Sequence, residues 1–585
     1  MRGLTGGDSS SSRPVDIIVP VYRGHDETLR CLRALLPSRH VGVEIVVVDD
    51  ASPEPELTAA LQALAAEGEI RLLRNPLNLG FPGSVNKALA VHPERDAVIV
   101  NADAVVHGDW LDRLRTAAYS APDVATATPL SNHGSIVTYP SGAEIDCTLD
   151  EAAVLDGLAA AVNRRITADI PVGVGFCMYL RRDCLDEVGA FDEYTFGKGY
   201  GEENDLCLRA RFCGWRHVVA ADVFVLHLGG VSFGRRRDAL LERSRRIINT
   251  RYPGYDAMID SFVRADPLLP LRRRLDEERV VLNSRPCALL LSLALPGGVD
   301  RVVRKRCKVL ARAGLRPILL RPEKPGSRRC LLSVDDEALR DLSYDIPADL
   351  TSLTNLLKRL NVMHVELHHF LDLDPTVIEV MRSLKVHYDV YIHDYSWICP
   401  RLTLLGGDNR YCGEPELAEC EACIKVHGGS LRDDLSVSAL RARSSQWLRT
   451  ARRIIVPSAD TLRRMRRYFP KVKIKCRPWE PLIRFSATAT TPVLTQPVRV
   501  VVIGAIGAHK GFHVLLNCAK DAAERELAIE FVVIGYTEDD NLLLSAGNVF
   551  VTGRYAETEV QDLLRREHPD LALFLQSGPK RGASP

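Results

Sequence analysis

Three carboxylates crowd into four positions of the stretch GKGYGEENDLCLRARFCGW, which covers residues 197–215. They are Glu202, Glu203 and Asp205, and they stand where a glycine-rich segment gives way to a helical pattern of apolar residues. Like charges this close repel one another, and a buried carboxylate without a partner is costly. A positioned carboxylate can instead act as a general base that removes the proton of a hydroxyl nucleophile. The pattern therefore indicates either a catalytic acidic pair or a solvated helix N-terminus.

Four more groups of polar residues each follow a short apolar run in the first half of the chain. In order they are Pro20-Val21-Tyr22, Asp49-Asp50, Arg74-Asn75 and Asn101-Ala102-Asp103. Ligands of open parallel sheets bind beyond the carboxyl ends of the strands, so these groups would share one edge of one sheet. Carboxylates at such an edge suit Mg²⁺ or Mn²⁺, which take oxygen ligands and share the site with a substrate phosphate.

Asp103 and His227 are the candidate metal ligands of this edge. His227 follows the apolar run ADVFVL and offers an imidazole nitrogen. Each residue taken alone has a simpler explanation, Asp103 as a helix-capping residue and His227 as an ordinary strand-end histidine.

The apolar runs that carry these residues predict an α/β domain with a mostly parallel sheet over residues 15–263. Continuous runs of Val, Ile and Leu indicate strands that are covered on both faces. A cluster of proline and charge predicts a linker over residues 264–284. Two Rossmann-like units are expected over residues 285–490 and 491–585, and residues 1–14 are expected to be a disordered tail.

Length and composition bound the function. The chain has 585 residues, of which 46% are hydrophobic and 26% charged, so we expect a globular protein of several domains. A formal net charge of +1 gives no electrostatic case for nucleic acid as a partner. No apolar run reaches the roughly 18 residues that span a bilayer. The 15 cysteines, with no secretion signal, favour reduced thiols in a cytoplasm.

The order of motifs over residues 15–233 resembles the inverting nucleotide-sugar glycosyltransferases of family 2, which have the GT-A fold. The segments that carry the resemblance are VDIIVPVYRGHDETLRCLRALL, EIVVVDDASPE, RNPLNLGFPGSVNKAL, VIVNADAVVHGDWLDRL and GVGFCMYLRRDCLDEVGAFDEYTFGKGYGEENDLCLRARFCGW. Each segment is weakly specific alone, whereas the five in this order and spacing are specific together.

The resemblance assigns roles to individual positions. It implies a donor site formed by Pro20, Tyr22, Asp50, Arg74, Asn78, Gly80 and Phe81. Asp103 would bind the Mg²⁺ or Mn²⁺ that bridges the donor diphosphate, and His227 would complete that metal site. Glu202 and Glu203 occupy the acidic pair of the family, with Glu203 at the position of the usual base.

Two positions depart from the family pattern. Asn101 stands where the metal motif usually begins with aspartate, so one acidic ligand is missing. Glu203 stands where the base is usually aspartate, which leaves the choice between Glu202 and Glu203 open. The stretch SNHGSIVTYP, residues 131–140, is interpreted as a loop on the acceptor side.

From residue 287 onward the chain resembles family 4 glycosyltransferases, whose GT-B fold has two facing Rossmann domains. The segments LPGGVDRVVRKRCKVLARAG, IIVPSADTLRRM and VIGAIGAHKGFHVLL carry this resemblance. It implies that Lys510 binds donor phosphate, although a surface lysine at a helix start is an equal alternative. The sequence ends before the segment in which that family carries a donor-binding glutamate. We therefore predict a truncated, degenerate second module whose last Rossmann domain is incomplete.

Four cysteines lie close together in the segment CPRLTLLGGDNRYCGEPELAECEAC. They are Cys399, Cys412, Cys420 and Cys423, the last two spaced as C-x-x-C. Four thiolates suit tetrahedral Zn²⁺, and the alternative is a set of ordinary free thiols.

Taken together, the sequence predicts a metal-dependent inverting glycosyltransferase. It would move a hexosyl or deoxyhexosyl group from a nucleotide-diphosphate sugar to a hydroxyl of a glycan, in polysaccharide synthesis for the cell envelope. The resemblance leaves a lipid-linked acceptor open, and it implies a cytoplasmic location with peripheral contact to the inner membrane as an option. The alternatives are a non-catalytic nucleotide-sugar or glycan-binding scaffold and, less favoured, a sugar-phosphate nucleotidyltransferase. The latter needs a glycine-rich basic loop after the first strand, where this chain has VPVYRGHDE.

Overall fold

The computed structural model describes residues 13–141, 144–229, 237–295, 297–431, 435–479 and 496–575. The chain divides into two compact units at Asn283 and Ser284, and residues 336–342 belong to the first unit. Of the tail predicted over residues 1–14, only residues 13 and 14 lie within the described ranges.

The first unit is built on a nine-stranded, mostly parallel sheet. Its strands are β1 (Val15–Val21), β2 (Val43–Asp49), β3 (Arg71–Arg74), β4 (Asp96–Val100), β5 (Ala104–Val105), β6 (Val124–Ser131), β7 (Thr167–Ile170), β8 (Cys177–Leu180) and β9 (Arg216–His227). The order is β3-β2-β1-β4-β8-β6-β9-β5, with β7 paired to β9. Strands β1 to β4 are parallel, and β8 is antiparallel to both β4 and β6.

The pairing register places the carboxyl ends of β1, β2 and β3 side by side. Val21 of β1 pairs with Asp49 of β2, and Asp49 pairs with Arg74 of β3. The polar residues that follow these strands therefore share one edge, as the sequence predicts.

Helices cover both faces of this sheet, which explains why its strands are continuously apolar. They are α1 (His25–Leu35), α2 (Pro55–Ala66), α3 (Phe81–Leu89), α4 (Trp110–Ala118), α5 (Leu149–Val162), α6 (Arg182–Val188), α7 (Glu193–Phe196), α8 (Glu202–Phe212), α9 (Arg237–Arg251), α10 (Tyr255–Ala265) and α11 (Leu269–Leu282). Alternate residues of β1 enter different cores: Ile17 packs in one cluster and Ile18 in another, and both are fully buried.

The linker predicted over residues 264–284 is wrong, because most of this stretch is helix α11. Leu271 and Leu275 of this helix are buried in the core of the first unit. Its buried Arg272 pairs with Asp266 and Asp341. The charged composition of this stretch is typical of a surface segment, but the charge of Arg272 is neutralised inside the first unit.

The second unit contains an eight-stranded sheet and a four-stranded sheet. The larger comprises β10 (Cys287–Leu291), β11 (Arg316–Pro322), β12 (Arg329–Ser333), β13 (Ser343–Asp345), β14 (Val362–Leu367), β15 (Tyr388–Tyr391), β16 (Arg453–Val456) and β17 (Ile474–Cys476), in the order β13-β12-β11-β10-β14-β15-β16-β17. Its helices are α12 (Gly298–Arg312), α13 (Leu350–Arg359), α14 (Pro375–Ser383), α15 (Leu417–His427), α16 (Val437–Thr450) and α17 (Ala459–Tyr468). Six of its strands form parallel pairs, which is the pattern expected of a Rossmann-like domain.

The four-stranded sheet is parallel throughout, in the order β20-β19-β18-β21. It comprises β18 (Val498–Ile506), β19 (Ile529–Thr537), β20 (Val549–Val551) and β21 (Leu571–Ala572), with α18 (Phe512–Glu524), α19 (Asp540–Leu544) and α20 (Val560–Glu567). The assignment of both sheets to a GT-B module stays a prediction. Across the described residues, every helix is too short or too polar to cross a membrane.

Candidate active site

Asp103 and His227 come together although 124 positions separate them in sequence. Asp103 follows β4, His227 ends β9, and the carboxylate Oδ1 lies 3.4 Å from His227 Nε2. The amide Nδ2 of Asn101 also lies 3.4 Å from the same nitrogen. Strand β5, which pairs Ala104 with His227, aligns the two segments.

The second ring nitrogen of His227 is held by the backbone. Nδ1 lies 2.8 Å from the carbonyl oxygen of His133, which can only accept, so Nδ1 carries the hydrogen. In the neutral ring, Nε2 is then unprotonated and directed toward Asp103. Metal-binding histidines typically have this arrangement, with the other ring nitrogen donating to a carbonyl or carboxylate. Burial acts to lower the pKa of His227, but Asp103 and the His133 carbonyl outweigh it and raise the pKa. The residues present therefore fit a divalent cation.

Residues 131–140 position His227, a role that the sequence does not predict for this stretch. The side chain of Asn132 accepts a hydrogen bond from the His227 N–H at 2.8 Å and donates to its carbonyl at 3.1 Å. Asn132 is buried, as is expected of a structural amide that spans two backbone groups. The prediction that this loop contacts an acceptor stays untested.

The three crowded carboxylates at the start of α8 have different environments. Asp205 is buried and bound by Arg209 at 2.9 Å, Arg251 at 3.0 Å and the Tyr252 hydroxyl at 2.8 Å. Asp205 is thus part of the packing of α8. The preceding acidic pair, Glu202 and Glu203, takes no part in these three interactions.

Glu202 and Glu203 differ in access to solvent. Glu202 is only 4% exposed, and its Oε2 has no hydrogen-bond partner among the described residues. Burial, followed by the neighbouring Glu203 carboxylate, raises the pKa of Glu202 well above its ordinary value. Glu203 keeps part of its side chain accessible, and burial raises the pKa of its carboxyl as well. Both carboxyl groups are therefore protonated more readily than an ordinary glutamate, and Glu203 is the more accessible of the two.

Gly175 and Phe176 connect the acidic pair to the candidate metal ligands. A methyl group placed on Gly175 would lie 3.8 Å from Cβ and Cγ of Glu203 and 3.9 Å from Cζ of Phe81. The next residue, Phe176, stacks on the His227 ring with centroids 5.2 Å apart, and its carbonyl accepts the Asn101 N–H at 2.8 Å. Gly175 thus lies beside Glu203 and Phe81, and the adjoining Phe176 stacks on the ring of the candidate metal ligand His227. The sequence gives no signal for this contact.

Asp50 shapes the loop that precedes α3. Its carboxylate accepts hydrogen bonds from Asn75 Nδ2 and from the backbone N–H groups of Leu79 and Gly80, at 2.7–2.8 Å. Asp50 is buried, so its carboxylate is largely engaged by this loop. Direct contact of Asp50 with a nucleoside stays a prediction.

The other predicted donor-site residues lie at the same edge with more exposed side chains. Tyr22 is partly exposed after β1, and Arg74 pairs with Asp49 at 3.3 Å with about half of its side chain exposed. Pro20, one position inside the end of β1, is also partly exposed. Asn78 has a buried Oδ1 with no partner among the described residues. The donor-binding roles of these residues stay predictions.

Gly80 marks a close approach between the loop that precedes α3 and the segment that leads to the acidic pair. Its φ is +85°, and a Cβ at this position would lie 2.4 Å from the Cα of Lys198. We expect Gly80→Ala to lower the free energy of unfolding by about 1–3 kcal/mol more than Gly68→Ala does, because backbone must move. Gly68 is the matched control, since its φ is +72° and nothing lies within 4 Å of an added Cβ. Urea denaturation checks this, and equal losses in both variants would contradict the close approach.

The buried carboxyl group of Glu202 should make the stability of the protein depend on pH. Its folded-state pKa is raised, so the stability it contributes is full at low pH and is lost as pH rises from the ordinary glutamate value, about 4.3, toward the folded value. We expect Glu202→Gln to remove this loss, so that its melting temperature gains on the wild type as pH rises. The control is Glu56→Gln, which removes an exposed carboxylate from α2. A melting-temperature difference between Glu202→Gln and the wild type that stays constant with pH would contradict a raised pKa of Glu202.

The remaining predicted site residues lie in the second unit. Lys510 ends a short helical turn after β18, and a Cβ on Gly504 would lie 3.7 Å from its Nζ. Cys399, Cys412, Cys420 and Cys423 are all free thiols of intermediate burial.

Residues 16–189 match the family model described as Glycosyl transferase family 2. The match covers β1 to α6, the part of the chain that carries the donor-side residues and Asp103. It supports a family 2 glycosyltransferase domain in the first unit. The second unit lies outside the matched residues.

Two curated relatives also match only part of this chain. The N-acetylglucosaminyl-diphospho-decaprenol L-rhamnosyltransferase of Mycobacterium tuberculosis is 27% identical over 242 residues, which is 37% of this chain and 77% of that protein. The succinoglycan biosynthesis protein ExoO of Rhizobium meliloti is 31% identical over 100 residues, which is 17% of this chain and 28% of that protein. A mannosyltransferase from Pyrobaculum calidifontis, solved with GDP-Man and Mn²⁺, aligns over 52% of this chain and 82% of its own at 17% identity. Its TM-score of 0.31 is too low to carry an argument.

Proposed function

We propose that the first unit is a metal-dependent inverting glycosyltransferase. It transfers a hexosyl or deoxyhexosyl group from a nucleotide-diphosphate sugar to a hydroxyl of a glycan acceptor. The observation that carries this proposal is the Gly175–Phe176 segment, because Gly175 lies beside Glu203 and the adjoining Phe176 stacks on the ring of His227.

Glu203 is the general base of this proposal. Its carboxylate takes the proton of the acceptor hydroxyl as the oxygen attacks the anomeric carbon. The new carbon–oxygen bond forms on one face of the sugar while the bond to the diphosphate breaks on the other. The nucleoside diphosphate leaves with the bonding electron pair, and the configuration at the anomeric carbon inverts. The more buried Glu202 has no partner for Oε2 among the described residues, and in its protonated form it leaves Glu203 as the single negative charge of the pair.

Asp103 and His227 would hold Mg²⁺ or Mn²⁺, with Asn101 beside them. When bound, the cation offsets the charge that develops on the departing diphosphate. Asn101 replaces an acidic ligand, so the protein supplies one carboxylate charge at this position and the diphosphate supplies the remainder. Asn132 and the His133 carbonyl keep the His227 ring oriented.

The donor-side roles follow from the loop that Asp50 organises. The hydrogen bonds from Leu79 and Gly80 to Asp50 hold the entrance to α3, where Phe81 contacts the position of Gly175. Phe81, Asn78, Tyr22, Pro20 and Arg74 then form the donor pocket. The rhamnosyltransferase and the succinoglycan biosynthesis protein support a polysaccharide acceptor, with a lipid-linked glycan as one form of it. A cytoplasmic location with peripheral membrane contact is part of this proposal.

The test is donor turnover by the purified full chain. It is incubated with Mn²⁺ or Mg²⁺ and a panel of uridine, guanosine and deoxythymidine diphosphate sugars, and nucleoside diphosphate release is measured. We expect release from one donor class, and its loss on chelation. Equal release by the wild type, Glu203→Gln and Asp103→Ala would favour the non-catalytic scaffold instead.

We further propose that the second unit is a degenerate, family 4-like module. Its parallel four-stranded sheet, the parallel strand pairs of its larger sheet and the glycine-rich turn between β18 and α18 support this. Lys510 is the residue there that would contact a donor phosphate.

A further inference from the structure

A short part of the first unit comes from a distant part of the chain. Residues 336–342, called the inserted segment below, lie in sequence between β12 and β13, which pair as antiparallel strands of the second unit. They nevertheless belong to the first unit, whose other residues end at Asn283. Asp341 and Leu342 of the segment are fully buried. The first unit is therefore completed by residues that are continuous with two strands of the second unit.

Asp341 bonds the inserted segment to two parts of the first unit. Its Oδ2 accepts the N–H of Ser141 at 3.1 Å, and its Oδ1 accepts Nε of Arg272 at 3.2 Å. Its own N–H donates to Oδ2 of Asp276 at 2.8 Å. Ser141 directly follows the loop 131–140, whereas the other two partners belong to α11. Such a buried network holds its members in one geometry, because each lost bond would leave a buried polar group unpaired.

A second connection reaches the same loop through Tyr139. The Tyr139 hydroxyl donates to Oδ1 of Asp276 at 2.6 Å and accepts from Nη1 of Arg279 at 3.0 Å. Tyr139 and Asp276 are both fully buried, and the Tyr139 ring packs edge-on against Phe224 of β9 with centroids 6.4 Å apart. The inserted segment therefore holds the end of the loop at two points, one directly and one through α11.

The held end of the loop is bonded to the end that orients the candidate metal ligand. The Tyr139 N–H donates to the Ser131 carbonyl at 2.9 Å and closes the loop. Asn132 and His133 lie within this closed loop, and they bond the backbone and Nδ1 of His227. A displacement at Tyr139 would therefore be transmitted to the residues that set the orientation of the His227 ring.

We propose that the inserted segment is a positioning element of the candidate metal site, with Asp341 as its anchor. It holds the loop 131–141 in place and thereby keeps Nε2 of His227 directed toward Asp103. The inference rests on the proposed function for the identity of the site, and it concerns residues outside the part that matches the family model. It gives the second unit a role that requires no donor binding of its own, because β12 and β13 fix the two ends of the segment.

The first test measures Mn²⁺ binding by the purified full chain, with electron paramagnetic resonance of titrated Mn²⁺ well below the unfolding temperature. We expect Asp341→Ala to weaken Mn²⁺ binding by about 10-fold, the lower end of the effect of removing an outer partner of a metal ligand. Tyr139→Phe removes one hydroxyl and keeps the ring, so it should weaken binding in the same direction. This variant keeps the test decisive if Asp341→Ala does not fold.

The matched control is Asp96→Asn. Asp96 is another fully buried carboxylate of the first unit, bonded by the hydroxyls of Tyr119 and Tyr179. It begins β4, whereas Asp103 follows the carboxyl end of that strand. Asp96→Asn should lower the melting temperature and leave Mn²⁺ affinity unchanged, so a general loss of stability would not imitate the expected result. Wild-type Mn²⁺ affinity in both Asp341→Ala and Tyr139→Phe would overturn the proposal.

Hydrogen exchange of the metal-free full chain separates this inference from the proposed function. We expect the amides of residues 131–141 to exchange faster in Asp341→Ala and Tyr139→Phe than in the wild type, and at the wild-type rate in Asp96→Asn. A wild type that does not bind Mn²⁺ would contradict the proposed function, and the exchange rates would still decide whether the inserted segment holds the loop. Unchanged exchange of the loop in both variants would overturn the inference whether or not Mn²⁺ binds.

Discussion

Replacing Glu203 with glutamine is expected to lower kcat by about 10²–10⁴-fold, because the amide cannot take the proton of the acceptor hydroxyl. Donor affinity should change little, since a glutamine side chain has nearly the same size as that of Glu203 against Gly175 and Phe81. Steady-state kinetics with acceptor, together with calorimetric donor binding, separate the two effects.

Two controls make this prediction specific to the base. Glu56→Gln removes an exposed carboxylate from α2 and should leave kcat unchanged. Glu202→Gln removes the buried partner, and its kcat loss should be smaller than that of Glu203→Gln. The wild-type rate should rise with pH through a pKa above the ordinary glutamate value, because burial raises the pKa of Glu203 and the base acts when deprotonated. A larger loss of kcat in Glu202→Gln than in Glu203→Gln would instead indicate Glu202 as the general base.

Replacing Asp103 with asparagine is expected to lower kcat/KM by about 100-fold or more. The substitution keeps the size of the side chain but removes the one carboxylate that lies beside His227 Nε2 among the described residues. Asn101, which also lies beside this nitrogen, is uncharged, so no other described carboxylate is placed there to compensate. Donor binding measured with and without Mn²⁺ should lose its metal dependence in the variant.

The control for this experiment is Asp112→Asn on the neighbouring helix α4. Asp112 is exposed and lies 3.9 Å from Arg115, so its loss should change neither metal dependence nor kcat/KM. Donor binding by Asp103→Asn that still rises with Mn²⁺ as in the wild type would refute the assigned metal position.

The candidate site could be predicted to the extent that its residues follow strands. Asp50, Arg74 and Asp103 come directly after apolar runs, and parallel pairing carries such ends to one edge of a sheet. The acidic pair could be located in the same way, at the start of a helical pattern. The sequence could not decide between Glu202 and Glu203 as the base, because the burial of Glu202 and the accessibility of Glu203 depend on packing against other elements.

The fold prediction erred where charge is buried. The stretch LPLRRRLDEERVVL has the composition of a surface segment, yet it forms α11 inside the first unit. Asp266 and Asp341 neutralise Arg272, and Asp341 is 69 positions away, so no local pattern reveals the pair.

The sequence by itself determined the α/β class, the strand-end carboxylates and the acidic start of α8, because these depend on periodicity and on neighbouring residues. Only the tertiary structure decided that Asp205 is a packing residue, that Asn132 and His133 orient His227, and that Gly175 and Phe176 join the two halves of the site. Those contacts bring together side chains from distant strands and helices. Their distances are set by the register and packing of the whole sheet, which local sequence does not encode.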